Sequence, residues 1–243
     1  MPPSPEAESG PSRVAVWQMF DRIAHRYDLL NRLLSMGRDV AWRKMLVKRL
    51  PAVDNPRVLD LATGTADVLF AMERALPTLE QGVGLDMSAG MLSFGRQKVL
   101  ARGLERRLSL VRADATRIPF EDNSFDAVSI SFGIRNVLDM DEGLREMCRV
   151  LRPGGRALIL EFSLPANRPF RALYLFYFRH ILPRIGGLIS GDSYAYRYLN
   201  ETVESFPYGS AFTGRMAQAG FGSTSATPLT LGIATLYTGD KPE

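Results

Sequence analysis

The chain has 243 residues, 46% of them hydrophobic, and 30 Lys and Arg against 26 Asp and Glu leave a net charge of +4. That is enough apolar material for one large core, and so slight and scattered a basic excess implies no nucleic-acid partner. The single cysteine, Cys148, closes no intrachain disulfide, and two histidines, His25 and His180, are too few and too far apart to predict a metal site.

Met1 to Ser12 is rich in Pro, Ser and Glu and has no apolar run, so it reads as a disordered tail rather than a secretory signal or transit peptide. Residues 13–243 are expected to form a single domain. Val16, Phe20, Ile23, Tyr27, Leu30 and Leu34 recur at spacings of four and three, the mark of an amphipathic helix. A second helix is expected over 39–50, with Trp42, Met45, Leu46 and Leu50 on one side and Pro51 ending it. Both helices are expected to precede the main fold.

From Arg57 the pattern changes to short β-rich runs at 58–61, 83–85, 108–112, 127–131 and 157–162, with helices near 66–76, 88–102 and 141–151 between them. Strands alternating with helices predict a doubly wound parallel sheet. A helix near 211–219 and strands near 223–228 and 233–238 bring the count to seven. The intervening 163–209 is rich in Tyr, Phe, Pro and Arg and is expected to be a lid or substrate-binding insertion. Its most apolar run, Ala172 to Phe178, is stopped by Arg179 and His180, far short of the roughly 20 residues a membrane span needs.

The run from Val58 to Asp67 ends a strand, turns on the small residues Ala62, Thr63, Gly64, Thr65 and Ala66, and opens a helix. Small side chains there let the backbone approach a ligand. Asp86 closes the second strand, where a carboxylate can accept hydrogen bonds from both ribose hydroxyls, and Asp114 with Ala115 follows the third. Together these positions describe a nucleoside crevice. The pyrophosphate fingerprint G-x-G-x-x-G is missing, since only Gly64 is glycine and Asp67 stands at the helix start. An acid there repels phosphate and suits a ligand carrying an amino group and a sulfonium.

Asp114-Ala115-Thr116-Arg117-Ile118-Pro119-Phe120, Asn123 to Asp126 and Arg149 to Gly155 resemble class I methyltransferases at large. Sharper are Phe20-Asp21-Arg22-Ile23-Ala24 with Tyr27, Asp28 and Asn31, then Ser131 to Val137, Leu160 to Ser163, Ser190-Gly191-Asp192, Tyr196 to Leu199 and Leu229 to Ile233. From about residue 14 onward these resemble the ubiquinone/menaquinone biosynthesis C-methyltransferase family. The resemblance implies a Rossmann-like, seven-stranded class I methyltransferase with N-terminal helices and a substrate-side insertion. It also implies S-adenosyl-L-methionine as cofactor and a prenylated quinol, demethylmenaquinol or its ubiquinone-pathway counterpart, as methyl acceptor. Thr65, Asp86, Asp114, Ala115 and Ser131 fall on the family's cofactor positions, beside Gly64. Ala66 departs from the glycine common in that loop, which puts tight cofactor binding in question.

In a doubly wound sheet the crevice opens between the carboxyl ends of the first and fourth strands, so Arg135 and Asn136 are expected to face the transferable methyl group. Guanidinium does not accept a proton, so Arg135 is expected to stabilise a phenolate or activate a water, with Asn136 orienting the quinol oxygen and Tyr27 lining the ring site. The plainer alternatives pair Arg135 with Asp139 or Asp141 and leave Tyr27 as packing. Two basic regions, Arg38, Arg43, Lys44, Lys48 and Arg49, and Arg168, Arg171, Arg179 and Arg184, suggest transient contact with a membrane surface or merely solvated helix faces. A cytoplasmic protein, at most peripheral to the membrane and open to forming a homodimer, is expected. A non-catalytic scaffold of a quinone-synthesis complex is the competing class.

Overall fold

The computed structural model describes residues 16–23, 32, 35, 37–181 and 193–243. Two helices come first, α1 (Val16–Ile23) and α2 (Arg38–Val47). The alternating part follows as β1 (Arg57–Leu61), α3 (Asp67–Ala75), β2 (Gln81–Asp86), α4 (Ala89–Ala101), β3 (Leu108–Arg112), β4 (Phe125–Ser131), α5 (Met140–Val150) and β5 (Leu151–Phe162). After β5 come α6 (Arg168–Phe176), a π-helical turn (Tyr177–Ile181), α7 (Ser193–Ser205), α8 (Ser210–Gln218), β6 (Gly222–Leu229) and β7 (Ala234–Asp240). Helix starts follow the local chemistry. Ser88 accepts from Met91 N at 3.1 Å to cap α4, Asp139 accepts from Glu142 N to cap α5, and Asn167 accepts from Phe170 N to cap α6.

All seven strands join one sheet in the order β3-β2-β1-β4-β5-β7-β6. The first five are parallel, while β7 runs antiparallel between β5 and β6. The parallel sheet read from the alternation holds for β1 to β5, and the last two strands extend it as an antiparallel edge. The turn between β6 and β7 is too short for the crossover a parallel pair requires, so the two form an antiparallel pair. The described residues of 163–209 contribute two helices and a π-helical turn, and Tyr174, Phe178, Leu199 and Val203 among them are buried in the main core.

Side chains of β1 divide between two cores, Val58 on one face with α2 and α3, and Leu59 and Leu61 on the other with α5 and α8. Asp60 points to the Val58 face, where the neighbouring strands carry the small residues Gly84 and Ser129 in register with it. The order β2-β1-β4 places the reversal of strand direction of travel between β1 and β4, and the loops at their carboxyl ends are in contact. A Cβ added at Gly133, just after β4, would stand 2.6 Å from the Ala62 methyl after β1. Only glycine permits that approach.

Candidate functional site

The turn after β1 is shaped from below. Asp60 is fully buried and accepts hydrogen bonds from the Ser129 hydroxyl and, at 2.7 Å, from Thr63 Oγ1. Above it Ala62, Gly64 and Ala66 all take positive φ, and Thr63 N donates to Leu85 O at 3.0 Å. Burial pushes the Asp60 carboxyl up to about 7, against the pull of its two hydroxyl partners, with Asp86 adding to the rise. Sequence reasoning passed over Asp60 because a lone acid inside a strand carries no motif.

Asp86 lies at the end of β2 and holds the turn from the side. Its Oδ2 accepts from Gly64 N and its Oδ1 from Ser88 N, both at 2.8 Å. Burial raises its pKa, opposed by the N–H groups of Ser88, Gly64 and Met87 and reinforced by Asp21. The three N–H groups leave part of the carboxylate's accepting capacity free, and it lines the cavity, so it can still accept from a ligand hydroxyl. Asp114 follows β3, its Oδ1 accepting from Thr116 N at 2.9 Å.

These residues surround a cavity of about 320 Å³ lined by Gly64, Asp86, Asp114, Ala115, Ser131 and Asn136 among others. Five cofactor positions expected from the sequence, and Asn136, thus converge on one space. Its apolar wall includes Met91 and Val137 and, from α1, Val16, Trp17 and Phe20. The N-terminal helices precede the sheet as expected, and Asp21 fastens α1 beside the cavity. Asp21 Oδ1 accepts from the Ser88 hydroxyl and from Gly90 N at 2.9 Å, while the Arg112 guanidinium lies 5.4 Å from the Trp17 ring centre. The Phe20-Asp21 pair was the available signal.

Several expected roles need adjusting. Thr65 is buried outside the cavity lining, and its Oγ1 accepts from Lys98 Nζ at 2.9 Å. Asp67, read as an acid facing the ligand, instead pairs with Lys98 at 3.0 Å and Arg43 at 3.5 Å, so its charge is compensated behind the loop. Ala66 lies outside the lining too; it adopts a left-handed conformation at φ 69° and α3 begins directly after it. Arg43 is tied to Asp39 as well and is largely buried, which removes it from the basic surface proposed for α2. Tyr27 and Arg184 lie outside the described residues.

Arg135 is buried and does not line the cavity, although its neighbour Asn136 does. Its Nη1 donates to Glu161 Oε1 at 2.7 Å and to Phe132 O at 2.6 Å, and its guanidinium sits 5.5 Å from the Phe162 ring centre. The alternative partners are excluded. Asp139 caps α5, and Asp141 pairs with Arg215. The short helical turn Ile134–Asn136 sends consecutive side chains in different directions, which strand-end reasoning did not resolve. Burial raises the Glu161 pKa, and the Arg135 charge with two backbone N–H groups pulls against it.

A bound nucleoside fits this space by a direct criterion. Ser131 Oγ and Asn136 Oδ1 are buried without a hydrogen-bond partner in the protein, and both residues line the cavity. Buried polar atoms left unpaired are costly, so a polar ligand answers them. Among the described residues no cluster of His, Cys, Asp or Glu could hold a metal ion, and no helix is long and apolar enough to cross a membrane.

Comparison with known proteins agrees. A protein from Geotalea daltonii, ubiquinone/menaquinone biosynthesis C-methyltransferase UbiE, is 49% identical over 93% of this chain and 96% of its own. Demethylmenaquinone methyltransferase of Thermus thermophilus is 48% identical over 92% of this chain and 100% of its own. In fold, the chain is similar to Haemonchus contortus phosphoethanolamine N-methyltransferase 2 solved with S-adenosyl-L-methionine. That match has a TM-score of 0.69 at 16% identity and covers 97% of this chain and 61% of the other. The model of the ubiE/COQ5 methyltransferase family matches residues 7–241, and the chain belongs to that family of S-adenosyl-L-methionine-dependent enzymes.

Proposed function

We propose that the protein methylates a ring carbon of a prenylated quinol, converting demethylmenaquinol to menaquinol. The observation that carries this reading is the unpartnered, buried Asn136 amide oxygen on the same cavity as the ribose-type carboxylate Asp86. The relatives' names supply the acceptor class, and because one of them names both quinones, the equivalent ubiquinone precursor is the second substrate to test.

S-adenosyl-L-methionine supplies an electrophilic methyl group when bound. In this reading Asp86 takes the ribose hydroxyls, Gly64 and Thr65 bring the backbone close, Asp114 and Ala115 meet the base, and Ser131 donates from beneath. Asn136 orients a quinol oxygen. The quinol becomes a carbon nucleophile on losing a hydroxyl proton whose free pKa is phenol-like, about 10. Arg135, positioned by Glu161, lowers that cost from behind the turn and stabilises the phenolate; the hydroxyl proton leaves to water, and once the ring carbon has taken the methyl group it gives up its own hydrogen as a proton to water, restoring the aromatic ring. Arg135 Nε is buried and unpartnered, a donor still available for an oxygen or a water. Tyr27 is proposed to line the ring site. Residues 163–209 form the substrate-side element of a single 13–243 domain, the protein contacts the membrane transiently to reach its lipid substrate, and a homodimer is its proposed assembly.

The test is methyl transfer from labelled S-adenosyl-L-methionine to reduced demethylmenaquinone and, in parallel, to the reduced ubiquinone precursor, with products identified by mass spectrometry. Methylated menaquinol is the expected product. Asn136→Ala should lower kcat by about 10- to 100-fold with a much smaller change in cofactor affinity. Cofactor binding with no methylation of either acceptor overturns the proposal.

A further inference from the structure

Helix α6 is apolar on both sides. Its inner face buries Tyr174, and the π-helical turn that continues it buries Phe178, both within the main core. Its outer face carries Pro169, Ala172, Leu173 and Phe176, all exposed, at the three- and four-residue spacings that make one stripe. Leu173 is 64% exposed and Phe176 56%. A single exposed leucine is ordinary, but a continuous apolar stripe over two turns of a helix marks a contact surface.

Two further features belong to this face. Basic side chains flank it, with Arg168 exposed in the first turn beside Ala172 and Arg179 exposed past the helix end, where Glu204 partly neutralises it; Arg171 is half-buried on the opposite flank, within the field of Glu204. The turn between β6 and β7 packs against the loop entering α6, a Cβ at Gly232 standing 3.2 Å from Pro165 Cα. In that turn Leu231 is 75% exposed with φ at 57°. A leucine held in the left-handed region to face solvent is strained with no compensating burial in the protein.

We infer that this face docks on an anionic lipid bilayer, with Leu173 and Phe176 entering the boundary between headgroups and acyl chains, Arg168 meeting lipid phosphates, and Leu231 adding a second point of contact from the neighbouring turn. An apolar stripe flanked by cations is the pattern of a helix lying in that interface. The inner face of α6 gives the placement a purpose. Tyr174 is close enough to Arg135 to feel its charge, and Phe162 lies between Arg135 and the aromatic cluster with Phe132 that borders the cavity. One helix thus separates lipid from the reacting loop. The inference rests on the proposed prenylated acceptor for its purpose, though not for its surface.

The full chain is mixed with vesicles of phosphatidylglycerol and phosphatidylcholine, and with phosphatidylcholine alone, and bound protein is measured by flotation. The parent protein should bind the anionic vesicles and release as salt rises. The double variant Leu173→Ser, Phe176→Ser should partition at least 10-fold less, and Arg168→Gln about 3- to 5-fold less. The double variant should also lose far more kcat/KM on quinol embedded in vesicles than on a short-tailed quinol in solution, while keeping the parent's cofactor affinity. Unchanged vesicle binding overturns the inference, as does an equal loss of activity on the soluble acceptor. A shift from dimer to monomer by light scattering with vesicle binding intact assigns the face to a second copy instead. Vesicle binding that depends on these residues, in a protein that methylates no quinol, removes the proposed function and leaves the surface standing.

Discussion

Beneath the turn after β1, Asp60 is held by two neutral hydroxyls, those of Thr63 and Ser129; beneath the turn after β4, Glu161 is held by the guanidinium of Arg135. Both acids are fully buried and each supports one of the two loops that meet at the cavity. Hydroxyls can donate to a carboxylate or accept from a carboxylic acid, so the Asp60 site tolerates its proton and shapes the turn without a fixed charge. A guanidinium has no such freedom. Glu161 compensates Arg135, and the ion pair fixes the turn behind Asn136. The β1 side of the cavity is therefore organised by hydroxyl hydrogen bonds and the β4 side by an ion pair.

The largest effect should come from breaking the charged region. Glu161→Gln leaves Arg135 buried without a counter-charge, and a loss of about 3–5 kcal/mol in denaturant unfolding is expected. A loss below about 1 kcal/mol would show that the pair is not the support the geometry indicates.

At the other acid the same kind of change should act in reverse. The folded-state pKa of Asp60 is raised to about 7 from 3.8, so the folded protein holds the proton longer than the unfolded chain. The associated stability is complete below pH 3.8, declines as pH rises toward 7, and is gone above it. Asp60→Asn removes that decline and should make the protein more stable than the parent at pH 8, by on the order of a few kcal/mol, with the difference shrinking toward pH 4. Unfolding titrations at a series of pH values check it; parallel curves for parent and variant would mean that Asp60 is ionised when folded.

The smallest effect is expected at Ala66. Glycine there relieves a left-handed alanine, roughly 1–2 kcal/mol, but forfeits a buried methyl, about 0.8 kcal/mol, and adds backbone entropy, about 0.5–1 kcal/mol. Ala66→Gly should therefore leave unfolding energy within about 1 kcal/mol of the parent and cofactor affinity unchanged by calorimetry. A clear gain in affinity would mean that the residue acts on the cavity it does not line.

Much of this was legible before any coordinates. All seven strands overlap the predicted β-rich runs; β1, β2 and β4 were legible because burial on both sides of a central strand leaves an uninterrupted apolar signature, whereas the exposed edge strand β6 carries none. Asp86, Asp114, Ala115 and Ser131 were readable because strand ends in this topology share one edge. What escaped were pairings across long sequence separations. The spacing of Val16 and Phe20 shows a helix face without showing what it covers. Arg135 had acids four and six residues away on offer, and its partner lies on the next strand, 26 residues on. Asp67 looked free because Lys98, 31 residues later, is on a different helix.

The position of β7 between β5 and β6 has a bearing on synthesis. β6 pairs with β7 alone, so when β6 emerges from the ribosome it has no sheet to join. Meanwhile the outer edge of β5 stays unpaired while α6, α7 and α8 are made. An open edge is a template for other chains, and the nascent protein carries one until β7 is made. The final strand is thus a closing clasp: it converts an aggregation-prone half-sheet into a finished one in a single late event.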